Sequence, residues 1–182
     1  QEADRLRNLV DKLVGSRKPL ELKETNIHEV IERVRNLITA ETLGNGIKLH
    51  CDYDPSLPTI LADSEKMIQA LLNLVRNSLQ ALNSPDIDHQ LGEIVLRTRI
   101  SRNITVASKF HKLAVAVEII DNGPGIPQEI SETIFFPMIS GRPNGSGLGL
   151  PISHGIVTQH GGMIECDSKP GETRFTVTIP IQ

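Results

Sequence analysis

The stretch GRPNGSGLGLPIS, residues 141–153, decides the fold: it places four glycines within nine positions and then turns apolar. Glycines this dense let backbone approach a ligand, and the two common phosphate loops do so in different ways. No lysine stands between Gly141 and Gly147, so the GxxxxGK[ST] phosphate loop is absent. Leu150 occupies the place of the last glycine in the dinucleotide fingerprint, so that loop is absent too. Both missing loops belong to doubly wound parallel sheets, which the stretch therefore disfavours. What remains is a glycine tract running into a helix over 151–160. Pro151 fits its first turn because no intrahelical N–H bond is lost there. The exposed N–H groups and the helix dipole suit an anion. A flexible connector would not alternate Leu148 and Leu150 with glycine.

Outward from this tract the pattern is mixed. Ile27, Val30, Ile31, Val34, Leu37 and Ile38 recur at helical spacing, and Asn26 and Glu29 are placed as N-cap and third-residue partner, giving a helix over 26–40. IKLHCDYD alternates as a strand, Pro55 and Pro58 make a rigid turn, and Asp63 caps a helix reaching Leu82. GEIVLRTRI and KLAVAVEIID read as paired strands with a polar connection over 101–111, and GMIECDS and TRFTVTIPI as two more around a turn at 169–172. Hairpins in place of repeated strand-helix-strand units predict an α+β fold, a two-layer sandwich with one mixed, mostly antiparallel sheet covered on one face by about three helices. Residues 1–18 carry Leu6, Leu9, Val10, Leu13 and Val14 at helical spacing, an apolar stripe that reads as the tail of a longer helix ending at Gly15 and Pro19.

Composition narrows the function. A formal charge of -3, from 19 basic and 22 acidic residues, provides no global field for nucleic acid or anionic membrane. No apolar run approaches a membrane span and no leader is visible. Cys51 and Cys166 are isolated from each other and from any His/Cys cluster, which argues against zinc and for two buried thiols in the cytoplasm.

Two further stretches carry chemistry. In LLNLVRNSLQAL (71–82), Ile68, Leu71, Leu72, Val75, Leu79 and Leu82 line one side of the helix while Asn73, Asn77 and Gln80 gather opposite. Asparagines one turn apart weaken a helix, and an amide oxygen is a neutral hard ligand for Mg²⁺ held mainly by phosphates and water. In IIDNGPGIP (119–127), an apolar strand delivers Asp121 to a turn with Gly123 and Gly125. A carboxylate there can accept from an amino group such as that of adenine, the glycines admit a flat ring, and Ile126 can line the pocket. FFPM (135–138) reads as a hydrophobic anchor for the segment between the glycine tracts, and Arg142 is placed to reach a terminal phosphate.

Asn73-x-x-x-Asn77, Asp121-x-Gly123-x-Gly125, Phe135-Phe136 and Gly145-x-Gly147-x-Gly149 together resemble the N, G1, F and G2 boxes of sensor histidine kinases. Gly171-Glu172-Thr173 resembles the last glycine element, and YDPSLP, DNGPGIP and FFPMISGRPNGSGLGL resemble nitrogen-regulation sensor kinases in particular. The resemblance implies the Bergerat ATP-binding fold over 19–182, with 1–18 as the end of the dimerisation and phosphoacceptor hairpin. It implies that Asp121 reads adenine, supported by Thr173, that Asn77 binds Mg²⁺, and that 128–147 cover the phosphates. ATP would then meet Asn73, Asn77, Gln80, Asp121, Gly123, Gly125, Ile126, Gly145, Ser146, Gly147, Leu148, Gly149, Leu150 and Thr173, with Asn73, Asn77 and Arg142 serving phosphoryl transfer. Its implied partners are the enzyme's own phosphoacceptor domain, an NtrC-like response regulator and a PII-type signal protein, in a full-length homodimer whose isolated catalytic part is a monomer.

The gyrase, MutL and Hsp90 ATPases resemble this chain in their glycine boxes but carry a general-base glutamate where Asn73 stands. An amide takes no proton at neutral pH, so the resemblance implies transfer to histidine over hydrolysis. A fold-sharing ATPase and a nucleotide-gated interaction module are the alternatives. The family's acceptor box does not fit His28-Glu29, followed here by Val30-Ile31-Glu32-Arg33, so the phosphorylated histidine is expected outside this chain. Pro151 also departs from the small or polar residue usual after the glycine box.

Overall fold

The two periodicities resolve into two layers in the computed structural model, which describes residues 19–83, 92–139 and 147–181. Five strands form the main sheet: β2 (Lys48–Asp52), β4 (Glu93–Val106), β5 (Lys109–Asp121), β6 (Met163–Lys169) and β7 (Glu172–Pro180), in the order β2-β4-β5-β7-β6. β2 runs parallel to β4 and every other neighbouring pair is antiparallel, so the sheet is mixed and mostly antiparallel. Helices α1 (Ile27–Gly44), α2 (Ser64–Leu82) and α4 (Gly149–Gln159) contribute Val34, Ile38, Leu71, Leu74, Val75, Ile156 and Val157 to the same core as Leu96, Val117, Ile119, Phe175 and Val177 of the sheet. The opposite sheet face is charged: Arg97 pairs with Asp52 at 2.9 Å and with Glu118 at 3.4 Å. One turn of helix, α3 (Gln128–Ser131), follows the Asp121 turn.

Caps fix where the helices begin. The Asn26 side chain accepts the His28 N–H at 3.0 Å, and Asp63 accepts the Lys66 N–H at 3.1 Å. Burial works to raise the Asp63 carboxyl, but the Lys66 and Glu21 N–H groups and the nearby Lys66 charge hold it below its ordinary value. A second tie joins α4 to this cap. His160, buried at the end of α4, lies 2.7 Å through Nδ1 from the Ile156 carbonyl and accepts the Asp63 N–H at Nε2 at 3.0 Å. A carbonyl only accepts and an amide N–H only donates, so the ring proton sits on Nδ1.

Five features depart from expectation. The 101–111 segment is not a loop: the strands stay paired to Val106↔Lys109 and turn at Ala107 and Ser108, both at positive φ (47° and 66°). Polar residues are tolerated there because a ribbon reaching past its neighbours meets water. The small antiparallel sheet of β1 (Lys23–Thr25) and β3 (Ile60–Ala62) was not expected, since three residues are too few to show alternation. α4 starts at Gly149, not Pro151, and α1 runs past residue 40 to Gly44. Cys51 is exposed and Cys166 only partly buried, and both are free thiols. The helix expected within 1–18 lies outside the described residues.

Candidate functional site

Asp121 ends β5 on the core side, 2% exposed, because Val115, Val117 and Ile119 set the inward parity of that strand. Its carboxylate accepts the Ser78 hydroxyl at Oδ2 (2.6 Å) and the Gly123 N–H at Oδ1 (3.0 Å). A Cβ at position 123 would come within 2.7 Å of that Oδ1, so glycine keeps the carboxylate clear. Asn122 turns outward and accepts the Glu93 N–H at 2.8 Å, ending the ladder where the turn begins.

The turn is clamped from the β6–β7 hairpin. Gly171 N–H donates to the Gly123 carbonyl (2.9 Å), and Ile126 N–H donates to Ser168 Oγ (2.8 Å), which lies 2.9 Å from Thr173 Oγ1. Thr173 is buried directly across the ladder from Asp121. Gly125 sits at φ +86°, and a Cβ there would lie 2.8 Å from the Lys169 carbonyl carbon. Gly125→Ala is therefore expected to destabilise the chain by about 2 kcal/mol or more and to weaken nucleotide binding, checked by urea unfolding and ADP titration.

The second half of the site is where α2 meets α4. Asn73 and Asn77 are half-buried on one face of α2, and Gln80 beyond them is exposed. The Asn73 amide donates to the Gly149 carbonyl at 3.4 Å, bringing the amide face against the first residue of α4. Gly147 holds φ +63°, leaves no room for a Cβ against the Met138 backbone at 2.7 Å, and its carbonyl accepts the Met138 N–H at 3.0 Å. Leu148 is buried and Leu150 packs against the core, which accounts for leucines between the glycines. Ser153 adds a buried hydroxyl 2.9 Å from the Ala70 carbonyl, locking α4 to α2.

The chain thus gathers Asp121, Gly123, Gly125, Ile126 and Thr173 at one end and Asn73, Gly147, Leu148, Gly149 and Leu150 at the other, with α2 between them. Arg142, Gly145 and Ser146 lie outside the described residues. Of FFPM, only Phe135 is tucked in, tilted on His154 at 5.4 Å beside buried Ile134, whereas Phe136 and Met138 are exposed. Sequence reading missed Ser78 and Ser168. Ser78 left a trace, a lone hydroxyl interrupting the apolar stripe between Leu71 and Leu82.

The site's chemistry is that of acceptors and backbone donors. Burial pushes the Cys166 thiol up to about 12, helped by the charges of Asp121 and Asp167, so it is no nucleophile at neutral pH. Among the described residues no group of three or more His, Cys, Asp or Glu could hold a metal, so a cation here would depend on amide and ligand oxygens. No helix among them is long and apolar enough to cross a membrane.

Comparison with known proteins agrees with this geometry. Over 181 residues the chain is 46% identical to the sensory histidine kinase/phosphatase NtrB of Vibrio alginolyticus, covering 100% of this chain and 50% of that protein. NtrB of Rhodobacter capsulatus is 38% identical over 174 residues, covering 92% of this chain and 46% of its own. The chain thus spans about half the length of the curated relatives it matches. Among solved structures, the nucleotide-free catalytic domain of histidine kinase ThkA superposes with a TM-score of 0.73 at 28% identity, covering 88% of this chain and 95% of that one. ThkA in complex with the response regulator protein TrrA gives 0.73 at 26% identity, over 100% of this chain and 48% of that one. A family profile described as histidine kinase-, DNA gyrase B- and HSP90-like ATPase matches residues 62–182, from the strand before α2 to the end of the chain and so across both ends of the site. The chain belongs to that family.

Proposed function

We propose that this chain is the ATP-binding catalytic part of a two-component sensor histidine kinase, passing the γ-phosphoryl of ATP to a histidine on an adjoining phosphoacceptor domain and thence to a response regulator. Residues 19–182 form the catalytic domain, and 1–18 end the dimerisation and phosphoacceptor hairpin. Asp121 accepts from the adenine amine, with Gly123, Gly125, Ile126 and Thr173 shaping the base pocket. The tract from Gly145 to Leu150 offers N–H donors to the phosphates, and Arg142 a cation. The donor set suits Mg²⁺, since the Asn77 amide oxygen is a hard neutral ligand and a triphosphate supplies the charge that the described protein groups do not. Bound there, Mg²⁺ would neutralise charge on the phosphates.

The observation that carries this reading is Asn73. The family includes hydrolases, which activate water with a carboxylate one turn before the metal-binding asparagine. Here that place holds an amide whose N–H is engaged by the Gly149 carbonyl. Without a carboxylate at that place, water is a poor nucleophile, while a neutral imidazole attacks phosphorus directly, forming a P–N bond as the β–γ P–O bond breaks. The full-length protein is read as a cytoplasmic homodimer in nitrogen regulation, with an NtrC-like regulator and a PII-type protein as partners and this chain alone a monomer; the likeness to a sensory histidine kinase/phosphatase, NtrB, supports the kinase part of that reading.

Mixing the chain with a separately produced phosphoacceptor domain and γ-labelled ATP is expected to leave acid-labile, base-stable label on that domain's histidine. Steady phosphate release by the chain alone would instead mark a hydrolase, and nucleotide binding without either product an interaction module.

A further inference from the structure

We propose that Ser78 is the positioning residue for base selectivity in this cleft, holding the Asp121 carboxylate so that only a purine with a 6-amino group satisfies it. The proposal rests on the nucleotide reading above. Ser78 is fully buried within α2, on the stripe that otherwise carries Leu71, Leu74, Val75 and Leu82. Alanine would suit both the helix and the packing better, and a buried hydroxyl is costly unless bonded. Its bond goes to Asp121 Oδ2 at 2.6 Å, the short length typical of a hydroxyl donating to a charged oxygen.

Two donors from different elements therefore hold the two oxygens, Ser78 from the helix and Gly123 N–H from the turn. A terminal carboxylate torsion is otherwise broad, so this pair fixes the plane of the group as well as its place. Both bonds suit an acceptor-only carboxylate, and an acceptor held in that plane rewards an amine and opposes a carbonyl oxygen. Without the hydroxyl, Oδ2 loses the donor from α2 and the plane of the carboxylate is less constrained. Discrimination between 6-amino and 6-oxo purines would then fall more than affinity for purines in general.

Calorimetric titration of the chain with ADP and with IDP, whose bases carry a 6-amino and a 6-oxo group, tests this. The unmodified chain is expected to prefer ADP by about 100-fold or more. Ser78→Ala should bind ADP about 10-fold more weakly and lose about 10-fold of the preference, with circular dichroism unchanged. Ser78→Cys, near serine in volume but a weak donor, should behave like the alanine variant and serves if that one does not fold. Retention of the full ADP preference by either folded variant overturns the positioning role. Equal ADP and IDP affinity in the unmodified chain overturns the base-reading cleft itself, and this proposal with it.

Discussion

Asp121→Asn is expected to weaken ADP and ATP about 100-fold while leaving the much weaker binding of GDP nearly unchanged. Three donors converge on this side chain: the Ser78 hydroxyl, the Gly123 N–H and, in the proposed complex, the amine of the base. A carboxylate accepts from all three. An asparagine offers one oxygen and an NH₂ group, so one of the two acceptor places becomes a donor. The backbone N–H keeps the amide oxygen at the Oδ1 place and the hydroxyl rotates to accept from the NH₂, so a base amine that relied on Oδ2 loses its acceptor and meets a donor. Equal losses for adenine and guanine nucleotides, measured by calorimetry, would show that Asp121 supports the turn without reading the base.

Asn77→Ala is expected to remove the Mg²⁺ dependence of ATP binding, lowering affinity in Mg²⁺ about 100-fold and bringing it near the value in EDTA. Stability should change little, because Asn77 is half-buried and alanine is the better helix former. The decisive quantity is the ratio of ATP affinities with and without Mg²⁺. An unchanged ratio would take the metal away from this amide.

Local signals in the sequence located the framework of the site well. α2 was legible from Asp63 to Leu82 because cap and apolar stripe are short-range, and the strand delivering Asp121 was legible from its unbroken apolar run. The bonds that make these pieces a site were not. Ser78 to Asp121 spans 43 positions and Asn73 to Gly149 spans 76, and no propensity or period couples residues that far apart. Ser168 reads as an ordinary turn-flanking serine until β6 brings it beneath the Ile126 N–H. The Ala107-Ser108 turn escaped for a different reason: both residues adopt positive φ without the Asn-Gly or Asp-Gly pair that signals such a hairpin.

Because Ser78 faces the carboxylate and Asn73 faces the start of α4, a single rigid helix serves as a ruler between the two ends of the cleft. Five residues at the helical rise set about 7.5 Å between those levels, a spacing that no loop motion alters. A ligand that satisfies the carboxylate at one level must therefore have the right length to meet the backbone groups at the other.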